Sequence, residues 1–117
     1  MAAEKRNQSL STPDEHILHD MVERIIEAVH PRRIILFGSA ARGVMGPNSD
    51  LDVLVVMPDG AHHRRTAQKI YRSLSGLGVA KDIVVVTETD VRQYGNNRSL
   101  VLYPALHQGR ELYHAAG

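Results

Sequence analysis

Two aspartates enter an otherwise apolar stretch in the middle of the chain, and their placement strongly constrains the fold. Asp50 and Asp52 lead into residues 53–56, an uninterrupted apolar run typical of a buried strand. Residues i and i+2 of a strand point to the same face, so we expect the two carboxylates to project together, about 7 Å apart. An ionised carboxylate there is costly unless it is paired or binds a metal. Asp50 alone could still be a turn residue, because the turn-forming residues Pro47-Asn48-Ser49 precede it.

A third aspartate repeats this anomaly later in the chain. Asp82 stands between Lys81 and the apolar run of residues 83–86, although strands ordinarily avoid Asp. Lys81 is a poor partner for it, because adjacent strand residues point to opposite faces of a sheet. A divalent metal site accounts for all three acidic residues together.

A glycine turn precedes the paired aspartates. Gly38-Ser39 ends an apolar run and can present backbone N–H groups to an anion, but such turns often contain Gly and Ser for backbone reasons alone. The turn is not a Walker A loop, because Val44-Met45 stands where the Lys-Ser/Thr pair is needed. Arg42 lies three residues after Ser39 and would share its face at a helix start. A phosphate ligand and a solvated arginine are equally good interpretations of Arg42.

The rest of the pattern alternates between helices and strands, which predicts an α/β domain. Thr12 is the expected N-cap of the first helix, with Pro13 at N1 and Glu15 at N3, and this helix should end near His30 because Pro31 follows. Further helices are expected at 40–42, 61–77, 87–94 and 99–108, and strands at 33–37, 50–57, 79–86 and 111–113. Residues 1–11 are predicted to be a flexible N-terminus, and residues 12–117 a single domain.

Composition narrows the class of protein. The 117 residues are 43% apolar and 23% charged, with a net charge of +1, so no global field favours nucleic-acid or membrane binding. The chain lacks cysteine, which excludes disulfides and thiolate zinc sites and fits a reducing compartment. No secretory signal or membrane span is visible. We therefore expect a cytoplasmic protein that binds neither membrane nor nucleic acid directly.

The stretch between Gly38 and Val56 resembles the signature of the DNA polymerase β-type nucleotidyltransferase superfamily. Gly38-Ser39 is followed after ten residues by Asp50-Leu51-Asp52. The Arg42-Gly43 and Asn48-Ser49 pairs inside the stretch are similar to the minimal branch (MNT), the antitoxin partners of HEPN toxins. The similarity runs from the first helix to residues 109–113.

The resemblance implies a fold, a site and a reaction. The fold would be polymerase β-like, α/β (α+β), with a small mixed sheet and packed helices. Asp50, Asp52 and Asp82 would be the catalytic and metal-binding carboxylates for two Mg²⁺ ions, and Gly38, Ser39 and Arg42 would bind the nucleotide.

In the implied reaction, AMP passes from ATP to a tyrosine of a HEPN ribonuclease toxin, supplied in trans, and this silences the toxin. Two alternatives stay open: a small-molecule, aminoglycoside-like transferase, and a non-catalytic antitoxin that acts by contact. A homo-oligomer is also compatible with the sequence.

Overall fold

Four strands form the sheet, and the computed structural model describes them within residues 12–46, 49–98, 100 and 102–116. The strands are β1 (Arg33–Phe37), β2 (Leu51–Met57), β3 (Lys81–Thr87) and β4 (Arg110–His114). They lie in the order β3-β2-β1-β4, with β1 antiparallel to both neighbours and β2 parallel to β3. The expected mixed sheet and its C-terminal edge strand are therefore confirmed.

Five helices accompany the strands in the described chain. They are α1 (Glu15–Val29), α2 (Gly38–Ala41), α3 (His63–Ser73), α4 (Glu88–Tyr94) and α5 (Leu102–Gln108). Helix α3 is shorter than predicted, because the chain leaves helical geometry in a turn at residues 74–76. Part of the predicted 99–108 helix, at Ser99 and Val101, lies outside the described residues, as do Asn48 and the predicted flexible segment 1–11. None of the described helices is long and apolar enough to cross a bilayer.

The start of α1 corrects the sequence prediction, whereas its end confirms it. Asp14, not Thr12, is the N-cap, and its Oδ1 accepts a hydrogen bond from the His16 N–H at 2.8 Å. Asp ranks slightly above Thr as an N-cap residue, but Pro13 and Glu15 stand at the N1 and N3 positions of a Thr12 cap, and that pattern had favoured Thr12. At the other end, His30 adopts a left-handed conformation (φ 50°) and its N–H reaches the Ile26 carbonyl at 3.0 Å.

The apolar residues of the sheet divide between its two faces. One face packs against α1 and α3, where Met21, Ile25 and Ile70 are fully buried. The other face packs against α5, and includes Leu102 and Ala105. Alternation along β2 sends Val53 and Val55 to the first face and Leu54 and Val56 to the second. By the same alternation, Asp52 lies on the α5 face.

Tyr71, which follows the buried Ile70 on α3, lies at the edge of the sheet. The residue is 41% exposed, and its hydroxyl accepts a hydrogen bond from the Ile83 N–H at 2.9 Å. That N–H belongs to β3, an edge strand, where such donors lack a partner strand. Tyr71 therefore satisfies an edge donor one residue after Asp82.

Candidate active site

The strand register brings two of the three predicted aspartates together. Asp52 and Asp82 are direct partners in the parallel pairing of β2 with β3, and neighbouring strands lie about 4.8 Å apart. Partners in a parallel pair point to the same side, so both carboxylates project on the α5 face at the amino-terminal ends of their strands. Phe37 is the partner of Asp52 on the antiparallel side. The turn that begins at Gly38 therefore lies beside Asp52.

Asp50 lies one residue before β2, so it is not part of the extended strand from which its orientation was predicted. It is exposed, as is Asp82, whereas Asp52 is half-buried. The Leu51 N–H bonds the Ala80 carbonyl at 2.9 Å, which ties the beginning of β2 to that of β3. Within the described ranges, none of the three carboxylates makes a hydrogen bond or an ion pair.

Electrostatics identify Asp52 as the central member of the group. Burial raises the pKa of Asp52, and the negative charges of Asp82 and then Asp50 raise it further. The carboxylates are thus close enough to repel one another, and no described cation offsets that repulsion. A carboxylate that is half-buried among like charges is a common property of metal-binding and catalytic sites.

The donor chemistry of this group fits a hard divalent cation. Mg²⁺ is usually bound by one or two carboxylates together with substrate phosphates, not by an all-protein cage. In the part of the chain that the structure describes, no group of three or more His, Asp or Glu side chains is arranged to hold a metal ion as it stands. Asp50, Asp52 and Asp82 would therefore have to be drawn together by the ion and its phosphate ligands.

The glycine turn is held by its own backbone. Gly38 has φ +70° and opens the single-turn helix α2. Its carbonyl accepts from the Arg42 N–H at 3.3 Å, and the Ser39 carbonyl accepts from the Val44 N–H at 3.0 Å. The Ser39 hydroxyl makes no hydrogen bond to any described residue. Ser39 thus has a polar group to offer to a ligand.

Gly38 is in direct steric contact with Asp52. A Cβ built on Gly38 would collide with Asp52 Oδ2, so only glycine leaves room for the carboxylate where it stands. Sequence reasoning assigned Gly38 to phosphate alone and missed this contact. The contact depends on the pairing of Phe37 with Asp52, which no local motif encodes.

We predict that Gly38→Ala destabilises the fold more than Gly43→Ala does. Both glycines have nearly the same φ, +70° and +71°, but a Cβ on Gly43 meets only the Thr12 Cγ2 at 3.3 Å. The excess should be about 1–3 kcal/mol, the usual cost of overpacking, and urea denaturation measures it. An equal loss of stability in the two variants would contradict this prediction. It would indicate that the Asp52 side chain rotates away from the new Cβ.

A double-mutant cycle assigns that excess to shape or to charge. Asp52→Ala leaves only an ordinary 3.5 Å contact with the Asp52 Cβ position, so it should remove the excess cost of Gly38→Ala. Asp52→Asn keeps the shape of the side chain without its charge, so the excess cost of Gly38→Ala should remain in that background. Equal relief by Ala and by Asn would contradict the steric explanation.

Arg42 is not paired with the aspartates. It is exposed at the C-terminus of α2, and its guanidinium makes no hydrogen bond or ion pair within the described residues. A phosphate ligand and a solvated side chain both fit that position, so its role stays a prediction.

The site is an open surface, not a closed cavity. Asp50 and Asp82 are exposed at its rim. A cleft of about 510 Å³ lies elsewhere, between α1 and α3, and is lined by residues of those two helices. A substrate can therefore reach the aspartates directly from solvent.

Comparisons with known proteins bear on the family and the fold of the chain. Residues 19–104 match the nucleotidyltransferase domain family, a range that contains the glycine turn and all three aspartates. The crystal structure of a Sulfolobus solfataricus protein, provisionally assigned as a nucleotidyltransferase, is similar with a TM-score of 0.52. At 22% identity over 66% of this chain and 69% of that one, it supports the fold alone. No curated protein matches the chain. Because the family match spans most of its length, the chain belongs to the nucleotidyltransferase domain family.

Proposed function

We propose that this protein is a Mg²⁺-dependent adenylyltransferase that transfers AMP from ATP to a tyrosine of a HEPN-type ribonuclease toxin and so acts as its antitoxin. The observation that carries the catalytic part is the side-by-side placement of Asp52 and Asp82, with Asp50 near enough to raise the Asp52 pKa. The antitoxin part rests on the resemblance of residues 38–56 to the minimal branch.

Each residue has a role in this reaction. Asp50 and Asp52 would hold one Mg²⁺ at the triphosphate, and a second ion would be shared with Asp82. The ions would supply charge stabilisation for the attacking and leaving oxygens. The acceptor oxygen forms a bond to the α-phosphorus, the bond from that phosphorus to the bridging oxygen breaks, and pyrophosphate leaves. Asp82 orients or deprotonates the acceptor hydroxyl, while Gly38 and Ser39 hold the β- and γ-phosphates.

The open site favours an acceptor that brings its own positioning surface. Asp50 and Asp82 face solvent, so an acceptor can approach them from outside the domain. A folded partner can present a hydroxyl and supply the orientation that the transfer requires. The exposed Arg42, at the end of α2, is available to contact such a partner in the cytoplasm.

Co-expression with an all-helical protein from a neighbouring reading frame, as the candidate HEPN partner, tests the reaction and the acceptor together. The intact mass of the partner should rise by one AMP, and the Asp52→Asn variant should leave it unchanged. Labelling of an aminoglycoside with none of the partner would reject the antitoxin assignment and keep nucleotidyl transfer. Neutralisation of the toxin without any mass change would favour the contact-only alternative.

Binding of the metal should stabilise the folded protein. Mg²⁺ or Mn²⁺ binds the folded carboxylates and not the unfolded chain, so millimolar metal should raise the melting temperature by mass action, and ATP should raise it further. The reference is the same buffer with EDTA and no added metal. No shift with either metal, alone or with ATP, would count against the site.

A further inference from the structure

Helix α3 carries an uncompensated row of positive charge. Its eleven residues include Arg64, Arg65, Lys69 and Arg72 but no acidic residue. All four side chains are exposed, and none makes a hydrogen bond or an ion pair with another described residue. Surface helices usually intersperse both signs of charge. A row of one sign is therefore suited to a partner of opposite charge.

Helix α1 carries the complementary row beside it. Asp20, Glu23 and Glu27 recur at spacings of three and four on its exposed side, so they share one helix face. They line the 510 Å³ cleft that also touches Ser73 at the end of α3. Glu23 and Glu27 form no ion pair in the described chain, whereas Asp20 pairs with Arg24 at 3.1 Å.

The two charged rows do not neutralise each other within one chain. Among the described residues, Arg24 on α1 makes a polar contact with the end of α3. It donates to the Ser73 carbonyl at 3.3 Å and to the carbonyl of Ser75, just beyond the helix, at 2.9 Å. A cation from the acidic helix thus occupies the C-terminal end of α3, where carbonyl groups favour it. The acidic row and the basic row remain open to solvent.

From these charges we infer that the α1–α3 surface is the interface for a second copy of this chain. Both helices pack on the same face of the sheet, so a two-fold axis between them sets the acidic row of one copy against the basic row of the other, twice. A surface that contacts itself in this way forms a closed dimer. The charge complementarity is present in the chain itself and needs no unknown partner.

The arrangement leaves both active sites accessible. Asp52 lies on the α5 face of the sheet, opposite the face that carries α1 and α3. A dimer through the α1–α3 surface would therefore present two outward-facing sites, each able to meet an acceptor. The inference does not depend on the proposed adenylyl transfer, because it concerns the other face of the domain.

Sedimentation of the unmodified protein at low and high salt is the first test. We expect a dimer at low salt that dissociates as salt is added, because exposed charges are screened over about 10 Å at 0.1 M. A monomer at every salt concentration, even at high protein concentration, would overturn the inference. So would a dimer that is indifferent to salt.

Charge exchange is the decisive test, and it contains its own control for folding. Arg65→Glu/Lys69→Glu reverses the basic row, and Glu23→Lys/Glu27→Lys reverses the acidic row. Each variant alone should associate at least about a hundredfold more weakly, because like charges then face each other. An equimolar mixture should restore the dimer, since both halves of the mixed interface are again complementary. Failure of the mixture to associate would reject the interface.

A single-stranded RNA oligonucleotide tests the main competing occupant of the basic row. RNA binding by a monomeric protein that is lost in Arg65→Glu/Lys69→Glu would assign the row to nucleic acid and overturn the dimer. Dimerisation that persists with RNA present supports it. Nucleotidyl transfer can fail or succeed independently of each of these results.

Discussion

Asp52→Asn is expected to abolish nucleotidyl transfer and, at neutral pH, to stabilise the metal-free fold. The change keeps the size of the side chain and removes a negative charge from the centre of the site. We expect kcat to fall by at least about 10²–10³-fold, the range for loss of one group that stabilises transition-state charge. The stability of the metal-free fold should rise, because the Asp82 and Asp50 charges no longer repel a carboxylate at this position.

The pH dependence of that gain follows from the direction of the Asp52 pKa. Burial, with the neighbouring carboxylates, raises its folded-state pKa above the unfolded value. Its favourable contribution is therefore complete below the unfolded pKa of about 3.9 and is lost as pH rises through the folded pKa. Asn does not ionise, so its advantage should be absent in acid and appear as pH rises. Urea midpoints of both proteins across this range measure it.

Asp59→Asn is a control of opposite sign. Hydrogen bonds from the Thr89 backbone N–H and from other groups hold the pKa of Asp59 below its usual value. Its stabilisation is present above the unfolded pKa and is lost as pH falls through the folded pKa. Asp59→Asn should therefore weaken the fold at neutral pH. If Asp52→Asn weakened it as well, mutual repulsion among the site carboxylates would be contradicted.

Asp52 and Asp82 could be singled out from sequence because each violates a strand preference that its neighbours obey, and Asp50 was added because it stands two residues before Asp52. Apolar runs after Asp52 and Asp82 predict the ends of β2 to within one residue and those of β3 to within two, since buried strands need continuous apolar side chains. The pairing of Asp52 with Asp82 could not be predicted by that means, because strand order depends on contacts between distant segments. The resemblance supplied the mixed sheet, and the family match and the similar solved structure confirm the fold.

Local signals were weakest where several residues compete for one role. The pattern of Pro13 at N1 and Glu15 at N3 favoured Thr12 as the cap, but Asp14 is the cap. Glu15 instead accepts two hydrogen bonds of 2.8 Å from Arg110, a contact between distant segments that the local pattern does not reveal. Tyr71 fits the apolar spacing of α3, but its hydroxyl bonds an edge strand that periodicity does not reveal. The contact of Gly38 with Asp52 is missed for the same reason.

Asp82→Asn should separate catalysis from nucleotide binding. Asp82 is exposed on the edge strand β3, beside Asp52 but farther from the glycine turn in sheet order. If it serves the acceptor hydroxyl and the second ion, its loss should leave ATP binding in the presence of Mg²⁺ nearly unchanged while kcat falls by about 10²–10⁴-fold, the range for general acid–base groups. The matched change Asp50→Asn should weaken ATP binding as well.

Calorimetry with ATP and Mg²⁺ gives the affinities, and partner labelling gives the rates. Equal loss of ATP affinity in the two variants would contradict this division of roles, because both carboxylates would then serve the triphosphate-bound ion.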